Sequence, residues 1–189
     1  MKIAFFCSAR ENIRLKYEEK VLELLTELDR DIPFTHVVYG GGGIGLMGTV
    51  YNFFKDKKTI ESHNLEKWRF EENPDENLYT SILKRQKMLL LNSEAYVILP
   101  GGVGTLSEFF DAIVLNEIEN QSKPVIVFNC DGYYDKLIEL VKDMINEKNS
   151  AMDHKFLCFS SDIKEIIRYL RDYGGKGKVI SSSFSQIAS

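Results

Sequence analysis

Residues 34–48 read FTHVVYGGGGIGLMG, an apolar run that passes directly into a glycine-rich turn. The same arrangement recurs at residues 95–108, AYVILPGGVGTLSE. Each stretch is typical of a buried strand followed by a tight turn and a helix. Glycine lets backbone N–H groups approach an anion, and a helix N-terminus adds partial positive charge. Ligands of open parallel sheets bind beyond the carboxyl ends of the strands, so the two turns predict a phosphate site, with the Thr105 hydroxyl as a further donor.

Two other interpretations of these glycines stay open. The glycines can serve only to make tight turns. The pattern G-x-G-x-x-G of dinucleotide-binding proteins also fits, for example at Gly40, Gly42 and Gly45, and would favour a nicotinamide-dependent oxidoreductase. Six of the nine residues 40–48 are glycine, however, so such matches arise easily, and this turn follows the second predicted strand instead of the first. The oxidoreductase is therefore the weakest alternative.

Strand-like and helix-like segments alternate along most of the chain. Five apolar runs predict strands, namely Ile3–Cys7, Phe34–Tyr39, Ala95–Leu99, Pro124–Asn129 and Lys155–Phe159. The segments between them carry apolar residues at helical spacing. This alternation predicts an α/β fold, a doubly wound parallel sheet flanked by helices, in a single domain over residues 1–173.

Two segments do not follow the alternation. Residues 55–77 are rich in charge and have little apolar periodicity, so we predict a short strand around Thr59–Ile60 and otherwise a solvated loop over one end of the sheet. Residues 174–189 are rich in glycine, serine and lysine and are predicted to form a flexible tail.

Composition limits the ligands and the cellular location that can be expected for this chain. The chain has 189 residues, a formal net charge of −4 and three cysteines without paired spacing. An acidic chain of this kind is not expected to bind nucleic acid. The unpaired thiols fit a reducing, cytoplasmic location, and the N-terminal apolar run is too short to span a membrane. The three histidines are scattered and show no metal-ligand spacing, so we expect no metal site.

Charged residues lie beside the second glycine turn. Thr105 and Glu108 fit the capping-box pattern S/T-x-x-E, which would make Glu108 a structural cap; alternatively, its carboxylate lies at the mouth of the phosphate cleft. Asp111 follows almost one helical turn later and would project from a neighbouring face. The basic residues of the segment Lys84–Lys87, KRQK, are most simply explained by an exposed helix face. Position along the chain does not decide between these interpretations.

The paired motifs closely resemble those of the LONELY GUY family, the cytokinin-activating phosphoribohydrolases, many of which were once labelled lysine decarboxylase-like. The family turn G-G-G-x-x-G-L-M-G is matched, with one extra glycine, at Gly40–Gly48. The family motif P-G-G-x-G-T-x-x-E is matched in full at Pro100–Glu108. Arg85 falls where the family has an arginine, and the resemblance extends over most of the chain.

This resemblance implies a Rossmann-like homodimer that hydrolyses the N-glycosidic bond of a nucleoside 5′-monophosphate, either AMP or an N6-modified AMP, to free base and ribose 5-phosphate. It implies catalytic roles for Glu108 and Arg85. It implies substrate binding, with the phosphate cradle at residues 102–105, by Ser8, Gly41, Gly42, Gly43, Gln86, Gly101, Gly102, Val103, Gly104, Thr105 and Asp111. No cofactor is expected, and the chain shows no recognisable pyridoxal phosphate site for the decarboxylation named in the older label.

The chain departs from the family pattern at four places near the expected base and ribose pocket. Residues 114–117 read VLNE where members have T-W-x-Q, and the segment between Gly48 and Arg85 is shorter than usual. The usual Arg-Lys pair reads Arg85-Gln86, and the usual opening C-G-S-S reads CSAR at residues 7–10. The identity of the base is therefore left open. An alternative from a different class is a non-catalytic carrier of a phosphorylated ligand, for which relatives of this fold that carry molybdenum cofactor are the model.

Overall fold

A computed structural model describes residues 1–73, 75–146 and 156–174 of the chain. Within these residues, seven parallel strands form one sheet that six helices flank, which confirms the predicted single-domain α/β fold. The strands are β1 (Lys2–Phe6), β2 (His36–Tyr39), β3 (Thr59–Leu65), β4 (Asn77–Tyr79), β5 (Ala95–Ile98), β6 (Val125–Phe128) and β7 (Leu157–Ser160). The helices are α1 (Glu11–Asp31), α2 (Gly45–Phe54), α3 (Ile82–Leu91), α4 (Val103–Ile118), α5 (Asp135–Asn146) and α6 (Ile163–Gly174).

The sheet reverses its winding direction at its centre. Its strand order is β4-β3-β2-β1-β5-β6-β7, so the chain moves outward from β1 to β4 and then returns to place β5 beside β1. Doubly wound sheets bind ligands at the carboxyl ends of the strands that flank such a reversal. The backbone N–H of Ser8 donates to the carbonyl of Pro100 at 3.1 Å, which joins the loops after β1 and β5 at this point.

Helices cover both faces of the sheet. Successive residues of a strand point to opposite faces, and in β1 Ile3 and Phe5 belong to one buried cluster while Ala4 and Phe6 belong to another. The first cluster includes residues of α1, α2 and α6, and the second includes residues of α3, α4 and α5. The helices that carry the predicted site residues Arg85 and Glu108 therefore lie on the same face.

The strand predicted around Thr59–Ile60 is present, and the expectation of a solvated loop fails for the residues that extend this strand to Leu65. The segment 55–77 contains β3, which is longer than the short strand predicted there, and β4 begins at its end. The sequence pattern does not indicate the full strand because its fully buried positions are occupied by polar residues, Ser62, His63 and Asn64. A buried strand is usually recognised by apolar residues at such positions. Hydrogen bonds make this burial possible; Nδ1 of His63, for example, lies 2.8 Å from the hydroxyl of Tyr79.

The five strands predicted from apolar runs are confirmed as β1, β2, β5, β6 and β7. Lys155, the first residue of the last prediction, lies outside the described residues, and so does the predicted tail after Gly174. In the described parts of the chain, no helix is both long and apolar enough to cross a membrane.

The buried side chain of Asn64 joins β3 to the first glycine turn. Its Nδ2 donates to the carbonyl of Gly41 at 3.2 Å, to the carbonyl of Trp68 at 2.7 Å and to Oε1 of Glu76 at 3.2 Å. Its Oδ1 accepts a hydrogen bond from the N–H of Leu65 at 2.9 Å. One amide therefore fixes the turn and the segment that follows β3.

Replacing Asn64 by leucine keeps the side-chain size and leaves these buried backbone groups without partners. We expect Asn64→Leu to lower the free energy of unfolding by about 2–4 kcal/mol, measured by urea denaturation. The control Asn52→Leu, at an exposed position on α2, should change it by less than about 0.5 kcal/mol. Equal losses for the two variants would show that Asn64 does not hold the turn.

Candidate active site

Arg85 lies on α3 and directs its guanidinium group beneath the carboxyl edge of the sheet. Its Nε donates to the carbonyl of His63 at 2.8 Å, and its Nη2 donates to the carbonyl of Gly40 at 3.3 Å. Its Nη1 donates to Oε1 of Glu108 at 3.4 Å. Arg85 is only 6% exposed, whereas both lysines of the KRQK segment are exposed. The exposed-face interpretation of this segment therefore fails for its arginine.

The glycine at position 40 makes room for this arginine. A Cβ built on Gly40 would lie 2.5 Å from Nη2 of Arg85. Any side chain here would push the guanidinium away from the carbonyl that it contacts. The first residue of the predicted glycine turn thus contributes to the site by leaving space beside β2.

Glu108 does not cap its helix. The helix α4 begins at Val103 with Gly102 as its N-cap, and no side chain makes a capping hydrogen bond there. Glu108 lies further along α4, is 6% exposed and contacts Arg85. The capping-box interpretation is therefore wrong. The structure places this carboxyl group beside Arg85, and its predicted position at the mouth of the phosphate cleft stays a prediction.

The carboxyl group of Glu108 has a strongly altered acidity. Burial raises the pKa of Glu108 to about 7, although the neighbouring Arg85 lowers it. Asp111 on the same helix adds a smaller upward effect. A carboxyl group that titrates near neutral pH can exchange a proton at little cost, as general acid–base catalysis requires. Cys7, at the end of β1, is also close, and burial, with Glu108 as a second cause, raises the pKa of its thiol.

The second glycine turn is open at the N-terminus of α4. No atom lies within 4 Å of a Cβ built on Gly102 or Gly104, and Val103 between them is 86% exposed. The first N–H within α4 to find a helical carbonyl is that of Leu106, which donates to Gly102. The N–H groups of residues 103–105 precede it and are the unpaired donors that a helix N-terminus offers to an anion.

Thr105 is the one buried residue of this cradle. It is 4% exposed and packs against Gly101, where a Cβ would overlap the threonine side chain. The carbonyl of Gly101 accepts a hydrogen bond from the Tyr133 hydroxyl at 2.9 Å, and the carbonyl of Leu99 accepts one from Tyr134 at 2.7 Å. The two tyrosine hydroxyls thus fix the backbone of the turn through its carbonyls. The opposite side of the turn, at Gly102 and Gly104, remains open.

Side chains of the protein occupy the space next to the glycines of the first turn. The space beside Gly41 is taken by Asn64 and Glu76, and the space beside Gly43 is taken by the Phe70 ring. At the start of α2, the N–H of Met47 donates to the carbonyl of Ser8 at 3.3 Å. The geometry therefore favours the second turn over the first as the phosphate site, and substrate contacts for Gly41, Gly42 and Gly43 stay a prediction.

Ser8 also uses its side chain within the protein. Its Oγ accepts a hydrogen bond from the N–H of Arg10 at 3.0 Å, and the residue is 5% exposed. It lies between the two turns because its N–H binds the loop after β5 and its carbonyl binds the start of α2. Ser8 therefore connects the turns, and its predicted contact with substrate stays a prediction.

Gln86 and Asp111 meet between α3 and α4. Nε2 of Gln86 donates to Oγ of Ser107 at 3.1 Å and to Oδ2 of Asp111 at 3.3 Å. Burial raises the pKa of Asp111. The structure thus brings four of the predicted residues together, in two adjacent pairs: Arg85 with Glu108 in the interior, and Gln86 with Asp111 nearer the surface.

Sequence reasoning missed His63, whose carbonyl anchors Arg85. A backbone carbonyl is present in every residue, so the amino-acid type carries no signal for this role. The histidine ring serves the neighbouring strands instead: its Nδ1 meets Tyr79 of β4, and its Nε2 lies 3.1 Å from Oε1 of Glu61. Burial lowers the pKa of His63.

Two further features bear on ligands. Over the described ranges, no group of three or more histidine, cysteine, aspartate or glutamate side chains is arranged to hold a metal ion. A cavity of about 500 Å³ lies between α1 and α2, lined by Glu11, Arg14, Glu18 and Thr49 among others. Gly43 of the first glycine turn borders this cavity, whereas Arg85 and Glu108 do not.

Comparison with protein families gives a match over residues 46–170 to a family described as possible lysine decarboxylase. The chain belongs to this family. Curated relatives carry the names of the LONELY GUY group, which confirms the resemblance. Cytokinin riboside 5′-monophosphate phosphoribohydrolase LOG1 of Arabidopsis thaliana is 28% identical over 97% of this chain and 89% of its own length. The probable phosphoribohydrolase LOGL9 of Oryza sativa subsp. japonica is 30% identical over 91% of this chain and 78% of its own.

Solved structures show that this LONELY GUY family member has a known fold. The molybdenum cofactor carrier protein of Chlamydomonas reinhardtii has a TM-score of 0.71 at 15% identity, covering 93% of this chain and 98% of the carrier. The structural-genomics protein TM1055 has a TM-score of 0.67 at 19% identity, and the match covers 90% of this chain and 98% of TM1055. At these identities the likeness extends to the fold alone, which confirms its Rossmann-like class.

The altered acidity of Glu108 can be measured directly. We expect its carboxyl carbon to titrate at a pKa of about 7, followed by NMR of protein labelled with ¹³C at glutamate carboxyl groups. Arg85→Met removes the cation that favours the ionised form, so it should raise this pKa further. The control Lys84→Met removes an exposed cation from the same helix and should leave it unchanged. Titration near the ordinary value of 4.5, or no upward change in Arg85→Met, would contradict this account.

Proposed function

We propose that this protein hydrolyses the N-glycosidic bond of a nucleoside 5′-monophosphate, giving the free base and ribose 5-phosphate. The observation that carries the proposal is the buried pair of Arg85 and Glu108 beside the open N-terminus of α4. One end of this site suits a phosphate and the other suits chemistry at a sugar carbon. The names of the curated relatives, phosphoribohydrolases of cytokinin riboside 5′-monophosphates, support the same reaction.

The phosphate is held by the N–H groups of residues 103–105 and by the hydroxyl of Thr105. Binding of the phosphate orients the ribose and places C1′ next to Glu108. The rotational and translational entropy of the sugar is lost on binding, so its loss does not add to the barrier of the reaction. The glycines at positions 102 and 104 matter because their open surface lets the phosphate oxygens reach the backbone.

Cleavage breaks the bond between C1′ and the base nitrogen, and the electron pair stays with the base. Positive charge then develops on the sugar, as in glycoside hydrolysis. The Glu108 carboxylate stabilises that charge and accepts a proton from the water that adds to C1′. The base nitrogen takes up one proton in exchange for its bond to C1′, so the water is divided between the two products. Arg85 fixes the position of this carboxylate and supplies positive potential toward the phosphate and the departing base.

The substrate is AMP or an N6-modified AMP, as the family implies. The protein's own residues supply each of these roles, so the proposal includes no cofactor. The cysteines Cys7, Cys130 and Cys158 are all buried free thiols, which supports a reducing, cytoplasmic location.

Glu108→Gln tests the reaction and its catalytic group together. We expect wild-type protein to release adenine from AMP, measured by chromatography of the free base. Glu108→Gln should lower kcat about 100- to 1,000-fold, with little change in KM, because the amide can neither accept a proton nor carry the stabilising charge.

The control for this variant is Glu119→Gln, an exposed position just after α4, which should retain wild-type turnover. Full activity in Glu108→Gln would remove Glu108 from the catalytic role. If wild-type protein retains AMP or another phosphorylated ligand but releases no base from a panel of nucleotides, the carrier function is correct instead.

The exposed apolar side chains of α3 and α4 support a homodimer. Leu83 on α3 is 75% exposed and Ile118 on α4 is 71% exposed, and Ile82, Leu91 and Val114 on the same two helices are also exposed. Several exposed apolar side chains on two neighbouring helices are typical of a protein interface. The occupant that we propose is a second copy of this chain, because the family implies a homodimer.

Ile118→Asp places a charge among these side chains and should dissociate the dimer. We expect wild-type protein to sediment with twice the mass of one chain and Ile118→Asp to sediment as a monomer. Leu140→Asp, at a half-exposed apolar position on α5, is the matched control and should remain dimeric. A monomeric wild type, or a dimer that survives Ile118→Asp, would reject this interface.

A further inference from the structure

Asp111 presents a free hydrogen-bond acceptor beside the candidate site. One carboxyl oxygen, Oδ2, accepts the hydrogen bond from Gln86, which is itself fixed to Ser107. The other oxygen, Oδ1, has no hydrogen-bond partner among the residues that the structure describes. The side chain is half-buried, so its orientation is set by the protein while one oxygen is left for a ligand.

Asp111 lies at the end of the site opposite the phosphate cradle. An α-helix rises about 1.5 Å and turns about 100° per residue. Glu108 therefore lies about 4.5 Å beyond Thr105 along α4 and Asp111 about 4.5 Å beyond Glu108, each offset by about 60° around the helix from the one before. A nucleoside 5′-monophosphate has the order phosphate, sugar, base. With the phosphate at residues 103–105 and C1′ at Glu108, as the proposed function requires, the base reaches Asp111.

The base end of the site carries the carboxylate of Asp111, and no lysine or arginine side chain among the described residues pairs with it. Arg85 is occupied by three acceptors, and Gln86 stands where the family pattern has lysine. A carboxylate accepts hydrogen bonds from amino groups and repels carbonyl oxygens. A lysine at position 86 would neutralise this carboxylate, whereas the glutamine amide orients it and leaves its charge in place.

We infer that Asp111 is a specificity-determining residue that accepts a hydrogen bond from the exocyclic amino group of a 6-aminopurine, and that Gln86 positions it. The inference rests on the proposed function for the placement of the nucleotide. It selects 6-amino over 6-oxo purines. A 6-aminopurine with one substituent on the amino nitrogen is still bound, because it keeps one N–H that can donate to Asp111. A 6-aminopurine with two substituents is excluded, because it has no N–H left to donate.

Binding to a non-hydrolysing background tests the inference whether or not catalysis occurs. Calorimetry at about pH 8, where an aspartate of raised pKa is ionised more fully, compares AMP, N6-methyl-AMP, N6,N6-dimethyl-AMP and IMP on Glu108→Gln protein. We expect AMP and N6-methyl-AMP to bind at least about 10-fold more tightly than the dimethyl compound and IMP.

The decisive variant is Asp111→Asn in the same background. Its amide can donate to O6 of the 6-oxo base, so we expect IMP binding to become about 10-fold tighter while AMP binding weakens. A gain for IMP cannot arise from misfolding. Asp143→Asn, which removes an exposed carboxylate on α5, should leave all four affinities unchanged.

Two results would overturn the inference. The first is equal affinity of the Glu108→Gln protein for AMP and IMP. The second is an Asp111→Asn variant with an unchanged ratio of these affinities. Failure of the proposed function gives a different result, because the wild-type protein would then release no base even though the binding preference remains.

Discussion

A single buried guanidinium group connects the elements that build the site. Removing the charge of Arg85 from water is costly unless its N–H groups find acceptors. They find the carbonyl of Gly40 after β2, the carbonyl of His63 in β3 and the carboxylate of Glu108 on α4. The arginine is satisfied only when two strands and one helix have their native positions, so the same contacts that offset its burial also place Glu108.

The sequence predicted the central fold well because its signals are strong there. β1, β2, β5 and β6 are continuous apolar runs, as expected for strands buried on both faces. β3 gave no such signal because its buried residues include Ser62, His63 and Asn64, whose polar groups are satisfied by partners distant in sequence. The sequence pattern contains the residue types but not the distant hydrogen-bond partners that make their burial possible.

The site was predicted only in part, for the same physical reason. Motifs identified Arg85 and Glu108 as candidates, but their contact depends on backbone carbonyls that no residue type encodes. The two glycine turns look alike as sequence, yet the space beside Gly102 and Gly104 is open and the space beside residues 40–43 is filled. Three of the filling side chains, Asn64, Phe70 and Glu76, come from β3 and the segment that follows it. The sequence pattern indicated a solvated loop there, so it gave no sign that this segment fills the first turn.

In the proposed function, the helix α4 presents groups of different charge along the length of one nucleotide. Its N-terminus offers unpaired N–H groups and partial positive charge, which suit the phosphate. Next along the helix, Glu108 suits a sugar that becomes positive as its bond to the base breaks. Asp111 follows, next to the neutral Gln86, and suits a base that presents hydrogen-bond donors. Because one rigid helix sets all three distances, a ligand that satisfies the phosphate end is held with its sugar and base at fixed heights. The proposed function therefore assigns recognition and chemistry to one structural element, and the buried Arg85 contacts that element through Glu108.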